Sequence, residues 1–282
     1  MKILAMDIGG TFLKYALYDG ETVLVSEKTP SRASEGAEAL MQVLFGLGET
    51  FRGQFDGIAV ATAGTVGPEG EIVYANENIP GYTGVRLRQR LEETFGVPAT
   101  VMNDVAAAAY ALTDTFEDYF FIALGTGVGG AYVHQRQLMT GGTGFGGQIG
   151  YLRVGSGQTA DQSASSAALA RMAGEAGECV FEKAGPGDER AARILSDWMD
   201  EVAQVILTAE IVTGAETIVL GGGVSAQGEK LLAPLREKLH QMDTPYRGRF
   251  RLTAAPDGNA SGTLGARKYF EESMRNQKNE RI

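Results

Sequence analysis

Leu124-Gly125-Thr126-Gly127-Val128-Gly129-Gly130 follows directly on the apolar run that begins at Tyr119, and its reading decides the fold. Its glycines satisfy G-x-G-x-x-G, the pattern of a dinucleotide-binding strand–turn–helix. That motif needs a helix straight after the glycines and an acidic residue about 20 positions further on. Here Ala131-Tyr132-Val133 continues as a strand, more glycines follow, and positions 146–148 read Gly146-Gly147-Gln148. The stretch is therefore a glycine turn between two strands. Successive backbone N–H groups in such a turn form a nest for anionic oxygens, and glycine lets a phosphate approach without a Cβ in the way.

The chain opens in the same manner. Lys2 to Met6 reads as a buried strand, Asp7-Ile8-Gly9-Gly10-Thr11 as the turn, and Leu13 to Leu17 with Thr22 to Ser26 as a meander closed at Asp19-Gly20. A carboxylate at such a strand end is badly placed to touch phosphate but well placed to hold a hydrated Mg²⁺ that does. A third turn, Gly221-Gly222-Gly223, follows Thr217 to Leu220 and suits a flat adenine or ribose lying on bare backbone. One Gly-Gly turn would read as an ordinary hairpin with an Asp cap; three after three strands point to nucleotide. The 39 glycines, about twice ordinary usage, cluster at these turns and at 141–150 and do not form a linker.

Between the turns, helical spacing predicts helices over Glu35 to Leu47, Val85 to Phe95, Val105 to Leu112, Ala191 to Val212, Lys230 to Met242 and Thr263 to Arg275, the last ending in a charged, fraying tail. Gly57 to Ala63 and Ala99 to Met102 read as buried strands. Alternating strands and helices make the class α/β, and the repeated opening indicates two related halves with a boundary near Thr113 to Glu117.

The charge balance narrows the function. Lys and Arg number 25 against 35 Asp and Glu, a formal charge of −10, so nucleic acid and anionic membranes are not expected partners. Cys179 is the only cysteine, and His134 and His240 the only histidines, which excludes a disulfide framework and any zinc site with two thiolates. Cys179 is expected to be buried and inert, Trp198 to be core, and the two histidines to lie on the surface. Asp7 stops the opening apolar run well short of a signal segment, and later runs are of strand length. A cytoplasmic protein is expected.

In the order and spacing of its blocks the chain resembles the ROK sugar kinases of the actin-like, hexokinase-like ATPase superfamily. The resemblance is carried by Asp7 to Thr11, Asn78-Ile79-Pro80-Gly81-Tyr82, Asn103-Asp104, Leu124 to Gly130, Gly144 to Tyr151, Gly221 to Ser225 and Gly262 to Ala266. It implies two actin-like (ribonuclease H-like) domains, 1–113 plus 264–282 and 114–263, each a mixed sheet flanked by helices, with ATP and sugar in the cleft between them. It implies ATP contacts from Asp7, Gly9, Gly10, Thr11, Gly125, Thr126, Gly127, Gly221, Gly222 and Gly223, with Asp7 holding Mg²⁺ through water. Lys14 is a further candidate, since relatives often carry a lysine directly after the threonine, where this chain has Phe12, and alternation sends Phe12 and Lys14 to the same face. It implies sugar contacts from Thr65, Asn78, Asn103, Asp104, Gln148, Tyr151 and Asp161. Asp104 matches the base that deprotonates the attacking hydroxyl, usually the sugar 6-OH, and its place at a helix start is expected to keep it ionised. A homodimer is expected.

Three departures stand out. The family's Gly-Glu-Ile-Gly-His block reads Gly147-Gln148-Ile149-Gly150-Tyr151, so its zinc-binding histidine is a tyrosine. Tyr151 to Ser166 contains no cysteine, and Asp161 stands where a glutamate is usual. A zinc-free branch is expected. The sequence opens in the first phosphate strand, so the winged helix of repressor relatives is not expected. The expectation is an ATP-dependent kinase of a hexose, an N-acylhexosamine or a β-glucoside. The alternatives are a non-catalytic sugar sensor without a DNA-binding domain and an actin-like scaffold, the latter disfavoured by Asn78 and Asn103-Asp104.

Overall fold

A computed structural model describes residues 1–184, 187–242, 250–256 and 261–279. Two compact units are present: Met1–Leu112 with Gly141–Phe145 and the closing helix, and Thr113–Thr140 with the chain from Gly146 to the last strand.

The first unit contains β1 (Lys2–Ile8), β2 (Phe12–Asp19), β3 (Thr22–Pro30), β4 (Gly57–Thr62), a short hairpin of β5 (Thr65–Val66) and β6 (Ile72–Tyr74), and β7 (Ala99–Asn103). Its helices are α1 (Ala37–Thr50), α2 (Leu87–Phe95) and α3 (Asp104–Tyr110). The main sheet has the order β3-β2-β1-β4-β7, an antiparallel meander joined to two strands parallel to β1.

The second unit repeats this plan. It contains β8 (Tyr119–Leu124), β9 (Val128–His134), β10 (Gln137–Met139), β11 (Thr217–Gly221) and β12 (Arg251–Ala254) in the order β10-β9-β8-β11-β12. Its helices are α4 (Ala160–Ser163), α5 (Ser166–Ala173), α6 (Gly177–Ala184), α7 (Glu189–Thr213) and α8 (Glu229–Gln241). The chain closes with α9 (Ser261–Asn279), which belongs to the first unit. The class is the mixed α/β that the strand–helix alternation predicts.

Strand alternation positions the chemistry. Leu4, Met6 and Ile8 of β1 enter one core with Leu40, Met41 and Leu44 of α1 and Leu91 of α2. Ile3, Ala5 and Asp7 therefore point to the opposite face, where α9 packs. That helix comes close because small residues meet it: a Cβ on Gly57 would lie 2.2 Å from the Phe270 ring, and one on Gly265 1.8 Å from the carbonyl oxygen of Ala107. In the second unit, Phe120, Ile122 and Leu124 join Trp198, Val202 and Ile206 of α7 in one core. Trp198 is fully buried, as expected, and its Nε1–H donates to the Ser165 carbonyl at 2.9 Å.

Beyond the helix start that the resemblance places at Asp161 to Ser165, the sequence reading assigned nothing to α4, α5, α6 and β12. Two signals were present: Ser165 caps α5 by accepting from Ala168 N–H, and Gly174 ends it in the left-handed region. The last helix also runs further than expected, to Asn279; residues 280–282 lie outside those described.

Candidate active site

In the first unit the turn after β1 is closed by Gly9, whose N–H donates to the Phe12 carbonyl at 3.0 Å, while Ser31 N–H donates to that of Thr11 at 3.0 Å. The N–H groups of Gly10 and Thr11 take no part in these bonds, and a Cβ on Gly10 would face open space. Asp7 is registered against Lys14 across the β1–β2 pair, with Lys14 Nζ 4.0 Å from its Oδ2. Burial raises the Asp7 carboxyl above its ordinary range, against the pull of Lys14. From α9, Gly262 lies directly on this side chain: a Cβ there would stand 2.4 Å from Asp7 Cγ and Oδ2. The sequence block Gly262 to Ala266 had carried no role.

Asp104 is the first residue of α3. The cap before it is Asn103, whose Oδ1 accepts from Val105 N–H at 2.9 Å and Ala106 N–H at 3.2 Å. Both amide hydrogens of Asn103 are also used, at 2.9 Å each, on the Gly64 carbonyl and on Asp104 Oδ1. Asn103 thus orients the carboxylate beside it. Asp104 is pushed up to about 6, first by burial and then by the charge of Asp7, against hydrogen bonds that favour the anion. The carboxylate is still ionised at pH 7, but desolvation and a like charge outweigh the half-charge of the helix start in setting where it titrates. Of the other residues expected to meet sugar in this unit, Thr65 is buried in β5, whereas Asn78 is exposed. The Asn78 loop is anchored by buried Ile79 and Tyr82, and the Tyr82 hydroxyl meets Thr62 Oγ1 at 2.9 Å.

In the second unit Gly125 N–H donates to the Gly127 carbonyl at 2.9 Å, Ala167 N–H to Gly125 at 3.3 Å, and Ser166 Oγ to Leu124 at 2.9 Å. Again two N–H groups, those of Thr126 and Gly127, are outside these bonds. Beside the turn lies a cavity of about 340 Å³ lined by Gly125, Thr126, Ser166, Ala170, Glu178, Phe181, Gly223 and Gln227 among others. Of the third glycine run, Gly223 alone lines it. Gly221 and Gly222 are demanded by packing: their Cβ atoms would lie 2.3 Å from the Phe121 ring and 2.2 Å from the Leu124 carbonyl oxygen, and Gly222 has φ +85°. The helical walls of the cavity, α5 and α6, are the elements the sequence reading missed.

Gln148 and Tyr151 flank a single helical turn and are both exposed, Tyr151 by 59%. Asp161 turns elsewhere: its Oδ1 accepts from Val128 N–H at 2.6 Å. His134 is exposed, as expected, and pairs with Asp118. Cys179 is partly exposed, which corrects its assignment to the core; on α6 it is Val180 and Phe181 that turn inward. Among the described residues there is no group of three or more His, Cys, Asp or Glu able to hold a metal, and no helix long and apolar enough to cross a membrane.

The ROK family profile matches residues 3–273. An N-acetylmannosamine kinase of Salmonella typhi is 33% identical over 286 residues, 94% of this chain and 97% of that protein. Among solved structures, a ROK hexokinase from Thermus thermophilus superposes with a TM-score of 0.79 at 26% identity, covering 97% of this chain and 99% of that one. A ROK glucokinase from Streptomyces griseus, in complex with glucose and AMPPNP, does so with 0.78 at 24%, covering 94% and 98%. The duplicated sheet with its paired glycine turns, together with these relatives, defines a sugar kinase of the actin-like fold. The chain belongs to the ROK family.

Proposed function

We propose that this ROK kinase transfers the γ-phosphoryl group of ATP to the 6-hydroxyl of an N-acylhexosamine, with Asp104 as the base. The observation that carries the assignment is Asp104 itself: a carboxylate oriented by Asn103 and Val105 N–H, raised to about 6, in the unit that carries the Asp7 turn. A base near neutrality is ionised at pH 7 yet accepts a proton readily. Phosphoryl transfer asks little more of it, because in a loose transition state the hydroxyl loses its proton late.

The N–H pairs of Gly10–Thr11 and Thr126–Gly127 are the donors available to phosphate oxygens, and the cavity at Gly223 suits the adenosine. Asp7 fits a hydrated Mg²⁺, which needs only one or two carboxylates beside phosphate: its carboxyl is buried and adds to the strain on Asp104, and a cation would relieve both. When bound, Mg²⁺ supplies charge neutralisation at the phosphates. Lys14, 4.0 Å from Asp7, adds a second positive charge there.

Two things support the substrate class. Curated relatives at 33% identity are N-acetylmannosamine kinases. Gln148 and Tyr151 can donate hydrogen bonds, as a carboxylate cannot, and an N-acyl carbonyl or a glycosidic oxygen has lone pairs and no proton to offer. The test is kcat/KM for N-acetylmannosamine, glucose and methyl β-glucoside. N-acetylmannosamine should be preferred; a strong preference for free glucose over both substituted sugars would refute the substrate class.

A further inference from the structure

We propose that Asp161 is a positioning residue for the nucleotide phosphates, bracing the glycine turn at 125–130 through its Oδ1. The inference rests on the reading of that turn as a phosphate nest. Three contacts converge on its carboxylate. Oδ1 accepts from Val128 N–H at 2.6 Å, the first donor of β9 after the turn. A Cβ on Gly127 would lie 2.8 Å from the same oxygen, and one on Gly150 2.4 Å from it. The carboxylate therefore fills the space where two side chains would otherwise stand, and both positions are glycine.

Asp161 is held as firmly as what it holds. It lies in the first turn of α4, which begins with a reciprocal cap between Thr159 and Gln162. Its own carbonyl accepts from Ser165 Oγ at 2.7 Å, and two residues on, Ser163 Oγ donates to Glu201 of α7 at 3.0 Å. A carboxylate–amide bond of this length is charge-assisted and stronger than a neutral one. Taking up Val128 N–H fixes the backbone one residue beyond Thr126 and Gly127, whose N–H groups remain for a ligand. Oδ1 is thus wedged between Gly127 and Gly150 and bonded to Val128 N–H, which ties the turn to α4.

The experiment titrates full-length protein with Mg–AMPPNP and, separately, with N-acetylmannosamine by calorimetry, with no turnover involved. Asp161→Ala should weaken AMPPNP about tenfold or more, as loss of a charge-assisted bond predicts, and leave N-acetylmannosamine within about twofold. Asp161→Asn, which keeps the acceptor oxygen and the shape, should lose less. Unchanged AMPPNP affinity overturns the proposal, as does equal weakening of both ligands in the Asn variant, the signature of general loosening. Loss confined to N-acetylmannosamine would make Asp161 a sugar ligand. A parent protein that binds AMPPNP but phosphorylates none of the three sugars refutes the substrate reading alone; one that binds no AMPPNP overturns both.

Discussion

Asp104 carries an ionisation cost that its neutral isostere does not. Its carboxyl sits at about 6 in the folded protein against 3.8 ordinarily, so between these values the native state holds the proton more tightly than the unfolded chain. The group's contribution to stability is therefore full below pH 4 and is lost as pH rises through 6. Asp104→Asn should raise Tm above the parent at pH 7 to 8, with the gap closing towards pH 4, while turnover falls about 10²-fold or more. A variant that phosphorylates sugar at the parent rate would remove Asp104 as the base. In the metal-free parent, the carboxyl titration followed by ¹³C NMR should have its midpoint near 6; an ordinary midpoint near 4 would contradict the burial and the Asp7 charge assigned to it.

At the level of elements, α9 meets two partners through two glycines with different consequences. A Cβ at Gly262 runs into the Asp7 carboxyl, the end of a side chain, whereas one at Gly265 runs into the backbone of α3 at Ala107. Gly262→Ala should fold and lose activity by moving Asp7; Gly265→Ala should lose stability first, because α3 must shift. Thermal melts beside kcat/KM separate the two, and equal effects on both variants would contradict it. The cysteine-free segment after Tyr151 has its own fastening. Glu201 accepts from Ser156 N–H at 3.0 Å, Ser156 Oγ at 3.1 Å and Ser163 Oγ at 3.0 Å, and Arg153 donates to the Gly157 carbonyl at 2.8 Å. Glu201→Ala should cost about 1–3 kcal/mol and hasten proteolysis within 153–159; unchanged melting and cleavage would show that the segment does not depend on it.

For the whole molecule, hydrogen bonds rather than thiolates fasten the segment from Tyr151 to Ser166, so we predict that metal analysis finds no stoichiometric zinc. Chelation should stop the Mg²⁺-dependent activity and leave the circular dichroism unchanged. One tightly bound zinc per chain would overturn this. Both units place a glycine turn between the first two strands of a five-stranded mixed sheet, so each leaves a pair of backbone N–H groups outside the turn's own bonds by the same local device.

What the sequence by itself determined was whatever local periodicity and turn chemistry dictate. Strands appear where apolar runs end in glycine, the long helix α7 where Trp198 and Val202 recur at helical spacing, and the three turns where glycines cluster after a strand. The α/β class followed from that alternation, whereas Asp104, whose place at a helix start is by itself that of a cap, was singled out by the resemblance and the two phosphate turns beside it. Tertiary structure decided the rest, because it depends on what lies across space. Gly221 and Gly222 serve packing, while Gly223 serves the cavity, a distinction set by Phe121 and Leu124 about 100 residues earlier. Asn103 spends its amide on Gly64 and Asp104, and Asp161 turns to Val128. The pKa of Asp104 belongs to this second kind as well: the dipole at its helix start is local and legible, but the burial and the Asp7 charge that outweigh it come from the folded sheet.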